Sequence, residues 1–141
     1  MNIEQLVRNG SGGVFQFAAG AVPRLSETMP LQIVDSRAVT DKASFLRDTA
    51  TAMRFPDYFG HNWDAFLDCL SDASERFDRG LSVIINDLSR FAGNQPEDFD
   101  TAIATMHDAV TYWHGKGKQL LILIGLSDPK LAAKLPRINP G

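Results

Sequence analysis

Apolar residues recur along this chain at two spacings, and the places where the spacing changes mark out its elements. Leu31 to Val34 is a short apolar run closed by Asp35, the size of a strand. Residues 41–54 then carry Phe45, Leu46, Ala50 and Met53 at helical steps, which predicts a helix with Thr40 or Asp41 as N-cap. Pro56 is expected to stop it, because a residue before proline is pushed out of the α region. A loop over residues 57–61 bends at Gly60, and Asn62 is a good cap for a second helix from Trp63 to about Phe77. Its stripe reads Trp63, Phe66, Leu67, Leu70, Ala73 and Phe77, and Arg79-Gly80 closes it. Leu81 to Ile85 is a nearly unbroken apolar run, the pattern of a strand buried on both faces. Asn94 to Pro96 opens a third helix, with Pro96, Glu97 and Asp98 in a first turn that favours proline and acids. Phe99, Ala102, Ile103, Met106, Val110 and Trp113 are its inward face, and Gly115 and Gly117 end it. Leu120 to Ile124 is the next strand.

Strands that alternate with helices and are apolar throughout predict an α/β fold, a small parallel sheet packed by helices. The two ends of the chain read less clearly. Gly10-Ser11-Gly12-Gly13 lacks the Gly-Lys-Ser/Thr ending of a phosphate loop and reads as a flexible turn. Val14, Phe15 and Phe17, then Ala21 and Val22 beyond Ala19-Gly20, are expected to form a hairpin. Residues 126–141, with Pro136 and Pro140, read as a peripheral tail. The expected division is an N-terminal extension at 1–30, a domain at 31–125 and a tail at 126–141.

Composition narrows the function. Hydrophobic residues make up 44% of the 141, enough for a core, and no apolar run approaches the roughly 18–20 residues of a membrane span. The single cysteine, Cys69, excludes an internal disulfide and fits a reducing compartment, and the first residues lack a charged-then-apolar signal pattern. A cytoplasmic protein is expected. The net charge of −3 hides an asymmetry: residues 55–75 hold Asp57, Asp64, Asp68, Asp72 and Glu75 with no Lys or Arg, so that segment is −5 and the rest +2. A patch this local favours a basic partner over nucleic acid.

Asp64, Asp68 and Asp72 step by four and so project from one helix face. Each like-charge pair at that spacing costs an isolated helix roughly 0.2–0.5 kcal/mol. Asp64 is excused by the helix dipole; Asp68 and Asp72 are not. Tyr58 and Phe59 add two aromatics on the loop beside this stripe, which suits an interface core ringed by charge. The plainer reading is a solvated acidic face with both aromatics plugging the core edge.

The run Pro56-Asp57-Tyr58-Phe59-Gly60-His61-Asn62-Trp63-Asp64-Ala65-Phe66-Leu67-Asp68-Cys69-Leu70 resembles the signature of the barstar family of ribonuclease inhibitors. The resemblance is ungapped over these residues and extends more loosely, in element order, over about residues 31–125. It implies a three-stranded parallel sheet with helices packed on it, and a protein that is not an enzyme. It also implies a cytoplasmic inhibitor that blocks a basic ribonuclease or nuclease toxin, as an immunity partner would. The partner-binding residues carried over are Tyr58, Phe59, Gly60, Asn62, Asp64 and Asp68, with Asp68 at the position that enters the enzyme's phosphate site, and Leu67 and Asp72 on the same helix are expected to join them. A ribonuclease gathers Arg, Lys and His around phosphate, so a fixed carboxylate can imitate the substrate's charge. Three positions depart from the family pattern: Leu67 replaces an aromatic, Phe59 a tyrosine and Lys118 a second cysteine. A glutamate from the later helix aligns with either Asp108 or Tyr112.

Other readings compete. His61 with Asp64 and Asp68 could serve a small hydrolase, but the segment offers no cation to stabilise a phosphorane. An adaptor that keeps the scaffold for a non-nuclease partner is the third reading. His107 and His114, seven apart, lack the ligands of a zinc set. Cys69 reads as a buried structural thiol. Asp35 and Asp87 stand at strand ends, as in an acidic pocket at a parallel sheet's carboxyl edge, but the adjacent acid pair of a phosphoacceptor is missing. No cofactor, metal, membrane or direct nucleic-acid contact is expected, and the free chain is expected to be a monomer.

Overall fold

The computed structural model describes residues 2–10, 12–25, 29–56 and 60–138. Four parallel strands form one sheet: β1 (Gly13–Ala18), β2 (Leu31–Val34), β3 (Gly80–Ile85) and β4 (Gln119–Leu126), in the order β1-β4-β3-β2. The helices are α1 (Ile3–Asn9), α2 (Lys42–Met53), α3 (Trp63–Asp72), α4 (Ser89–Asn94) and α5 (Pro96–Gly115), with 3-10 turns at Ala73–Arg76 and Pro129–Ala132. The expectation of three strands is corrected to four.

The extra strand comes from the N-terminal segment, where a hairpin was expected. Gly13–Ala18 instead lies parallel to β4, from Gly13 beside Leu121 to Ala18 beside Leu126. Every residue of β4 is buried. Its backbone groups would be stranded without a ladder on each side, and β1 supplies the second ladder. The chain then turns at Ala18–Ala21, with Gly20 at φ 91°, and does not return antiparallel. Gly12 before β1 is there for closeness: a Cβ on it would stand 2.6 Å from the Leu120 carbonyl oxygen.

The sheet is covered on both faces. Val14, Val34, Leu81, Val83, Ile85, Leu120, Ile122 and Ile124 pack in one core with α2, α3, α4 and α5. The opposite face, with Phe17, Ile84, Leu121 and Leu123, is covered by Ile3 and Leu6 of α1 and by Ile138. The peripheral-tail expectation therefore also needs correction, because Leu135 and Ile138 are buried. The Gln16 backbone donates to the Pro136 carbonyl (2.9 Å) and accepts from Ile138 N–H (3.0 Å), so the tail covers the outer edge of β1. Buried Gln16 also donates through Nε2 to the carbonyls of Pro129 (3.3 Å), Ala132 (2.7 Å) and Leu135 (3.0 Å).

Asp41 caps α2 in a reciprocal box with Ser44. The helix ends at Arg54, whose backbone turns left-handed (φ 55°), two residues before the proline expected to stop it. α3 is shorter than its apolar stripe, because the chain tightens to 3-10 geometry from Ala73. No described helix is long and apolar enough to cross a membrane.

Candidate partner-binding surface

The start of α3 is fixed by Asn62. Its Oδ1 accepts from Ala65 N–H (2.8 Å) and its Nδ2 donates to the Gly60 carbonyl (3.3 Å). His61, just before it, is held in the left-handed region at φ 51°. The inner face of α3 is wedged into the core. Phe66 is fully buried and meets Phe45 edge-on with centroids 5.5 Å apart, while Trp63 and Phe55 approach it at 6.1 Å. The buried Trp113 indole of α5 donates to the Leu70 carbonyl (2.9 Å), and Lys118 Nζ donates to the Ser74 carbonyl (2.7 Å). Arg76 Nη2 donates to the Met53 carbonyl (2.7 Å), which ties the far end to α2. The bonds to Leu70 and Met53 satisfy carbonyls near the ends of α3 and α2 that the helices themselves leave open.

The outer face carries charge that no ion pair among the described residues engages. Asp64, Asp68 and Asp72 are all exposed. Among the described residues the ion pairs are Asp35–Arg37 (2.7 Å) and Asp48–Arg47 (2.9 Å), so no basic side chain claims the α3 aspartates. Asp68 and Asp72 line a shallow groove of about 510 Å³ with Glu75, Cys69, Arg54 and Arg76. The two arginines bound the acidic segment in sequence at either end, and the fold brings both to the groove, a neighbourhood that a charge count over residues 55–75 omits. Cys69 is half-buried at this rim and not enclosed as expected. Burial pushes its thiol pKa up, and the Asp72 and Asp68 carboxylates push it further, so the thiol stays protonated.

Gly60 and Asn62 are exposed, and Leu67 is half-buried against the core. Asp57, Tyr58 and Phe59 lie outside the described residues. On α5, Asp108 and Tyr112 are both exposed, and Lys116 stands over the Tyr112 ring at 5.5 Å. His61 lines a different cleft, of about 480 Å³, with Asp41, Lys42, Gln95 and Asp98. Neither Asp64 nor Asp68 lines this cleft, and Asp68 instead lines the groove beside Cys69. His107 and His114 are exposed on α5, and no group of three or more potential metal ligands occurs among the described residues. The sheet-edge acids are used locally. Arg37, hydrogen-bonded to Asp35, lowers that carboxyl to about 2, and Asp87 accepts from the Ser89 backbone (2.9 Å) at the start of α4.

The family model Barstar (barnase inhibitor) matches residues 29–125, more than half of the chain. The chain belongs to the barstar family. No curated protein matches it. The matched region begins at Met29, just before β2, and ends at Gly125 in β4. It contains α2, α3, α4 and α5 with three of the four strands, and the remaining strand, β1, is what this chain adds in front. Members of the family are inhibitors, and the acidic helix lies inside the shared region.

Proposed function

We propose that this chain is a ribonuclease inhibitor that fills the basic active-site cleft of its target with the loop before α3 and the outer face of that helix. The observation that carries the reading is the row Asp64, Asp68 and Asp72: exposed, on one face of a helix anchored at both ends, and claimed by no cation among the described residues. A carboxylate held rigidly with no internal partner keeps its full charge for an external one. An enzyme that binds phosphate must offer cations in its site. Asp68 stands in for the phosphate, Asp64 and Asp72 extend the match, and Tyr58, Phe59, Gly60, Asn62 and Leu67 form the surrounding contact. The partner is a basic ribonuclease or nuclease toxin, and the inhibitor works in the cytoplasm that must be protected from it.

The test is inhibition of RNA cleavage by candidate nucleases, with wild-type chain and Asp68→Ala compared. Removing one member of a buried interfacial charge pair costs about 2–5 kcal/mol, a range set by other complexes, including that of this family's type inhibitor. Undiminished inhibition by Asp68→Ala overturns the phosphate-mimic mechanism. An adaptor would instead show no nuclease binding at all.

A further inference from the structure

The two edges of the sheet are treated differently. The outer edge of β1 is covered by the tail at Pro136 to Ile138. The outer edge of β2 has no neighbour among the described residues. The Ser82 N–H donates to the Pro30 carbonyl (2.9 Å), and the register pairs Leu31 with Ser82 and Ile33 with Ile84. In a parallel ladder of this register Pro30, Gln32 and Val34 face β3, so the N–H and C=O groups of Leu31 and Ile33 point away from the sheet. Leu31 and Ile33 are also among the most exposed large apolar side chains, at 41% and 54%.

We propose that this chain associates with a second copy of itself through β2, antiparallel across a two-fold axis, to make one continuous eight-stranded sheet. The register follows from which groups are free. With Ile33 opposite its own counterpart, the two residues exchange both backbone bonds, and Leu31 of each copy exchanges with Asp35 of the other. This register uses every outward donor of the strand and sets the exposed isoleucines side by side on one face. An open edge is a template for another strand, and an isologous contact closes as a dimer.

Charge points to the same occupant. Residues 31–34 carry no charge, and Asp35 at the strand end is neutralised by Arg37 at 2.7 Å. The edge can therefore face itself without repulsion, whereas the α3 face, with three aspartates in no ion pair among the described residues, cannot. A strand pair this short buries less than the roughly 1,200 Å² of stable complexes, so the dimer depends on concentration. The pairing replaces the expected free monomer and does not rest on nuclease binding.

The test uses the full chain with Cys69→Ser as background. Opposed residues in a hydrogen-bonded pair have Cα atoms about 5.5 Å apart, within disulfide reach. Ile33→Cys should oxidise to a disulfide-linked dimer, while Val22→Cys, at a similarly exposed position (44%), should not. In sedimentation, wild-type chain should show a dimer fraction that rises with concentration and is lost in Ile33→Lys, with the thermal midpoint unchanged. A wild-type chain that stays monomeric at every concentration overturns the proposal, even if its edge accepts some other strand. Cross-linking of Ile33→Cys no faster than of Val22→Cys overturns it equally, and the cysteine pair decides should the lysine variant misfold.

Discussion

The inner and outer faces of α3 are built by opposite rules. Inside, Phe66 and Leu70 are buried among aromatic rings, and the main-chain carbonyl of Leu70 is claimed by the Trp113 indole. Outside, three aspartates stand four residues apart with no ion-pair partner among the described residues. A helix optimised for its own stability would place lysines opposite those acids, worth about 0.2–0.5 kcal/mol for each pair. This one forgoes that stabilisation and offsets it with interior anchors. The lesson is that the inner face determines where the charges stand, while the outer face leaves them available.

The largest effect that separates the faces is expected inside. Phe66→Ala should lower stability by about 3–5 kcal/mol, read as a drop in the urea midpoint. At a denaturant-free temperature where the variant is folded, its inhibition should fall only through the folded fraction. Asp68→Ala should do the reverse and weaken nuclease binding by about 2–5 kcal/mol with an unchanged or raised melting midpoint. If Asp68→Ala lowers stability and binding together, the division between the faces fails.

Asn62→Ala removes the N-cap and should cost about 0.5–2 kcal/mol of stability, read from thermal unfolding. It touches both faces, since Asn62 holds the Gly60 carbonyl as well as the first turn of the helix. Asp72→Asn relieves one like-charge pair and should raise stability by about 0.2–0.5 kcal/mol. The same substitution removes a carboxylate that holds the Cys69 thiol above its ordinary pKa. Alkylation of Cys69 by iodoacetamide at mildly alkaline pH should therefore quicken slightly in Asp72→Asn, because more thiolate is present. An unchanged rate would leave burial, the larger cause, as the whole of the effect.

The outer face of α3 was legible in the sequence because a step of four has only one geometric meaning in a helix. The helices over 42–53 and 96–115 were legible from apolar periodicity bounded by caps and glycines, and the strands over 31–34, 80–85 and 119–126 from short unbroken apolar runs. α1 was not, because two buried residues in seven, Ile3 and Leu6, are too few to set a period. α4 was hidden because its six residues contain Gly93 and Asn94, which read as loop. β1 was visible as an apolar run, but alternation does not say which strand it joins, and its partner lies more than a hundred residues away. The prolines of the tail concealed the burial of Leu135 and Ile138. Arg54 and Arg76 were readable as flanking charges, but only the meeting of α2 with the turn after α3 sets them beside Asp68.

The position of β4 bears on when such a protein becomes active in a cell. This strand lies between β1 and β3, yet it is the last of the four to be synthesised. Until residues 119–126 leave the ribosome, the first strand has nothing to pair with, and the β2–β3 pair has one side bare. At about 5–20 residues per second the delay is short, but a message truncated before that point encodes two fragments of a sheet with nothing to join them. Assembly of the four-stranded sheet is therefore all-or-none at the level of translation.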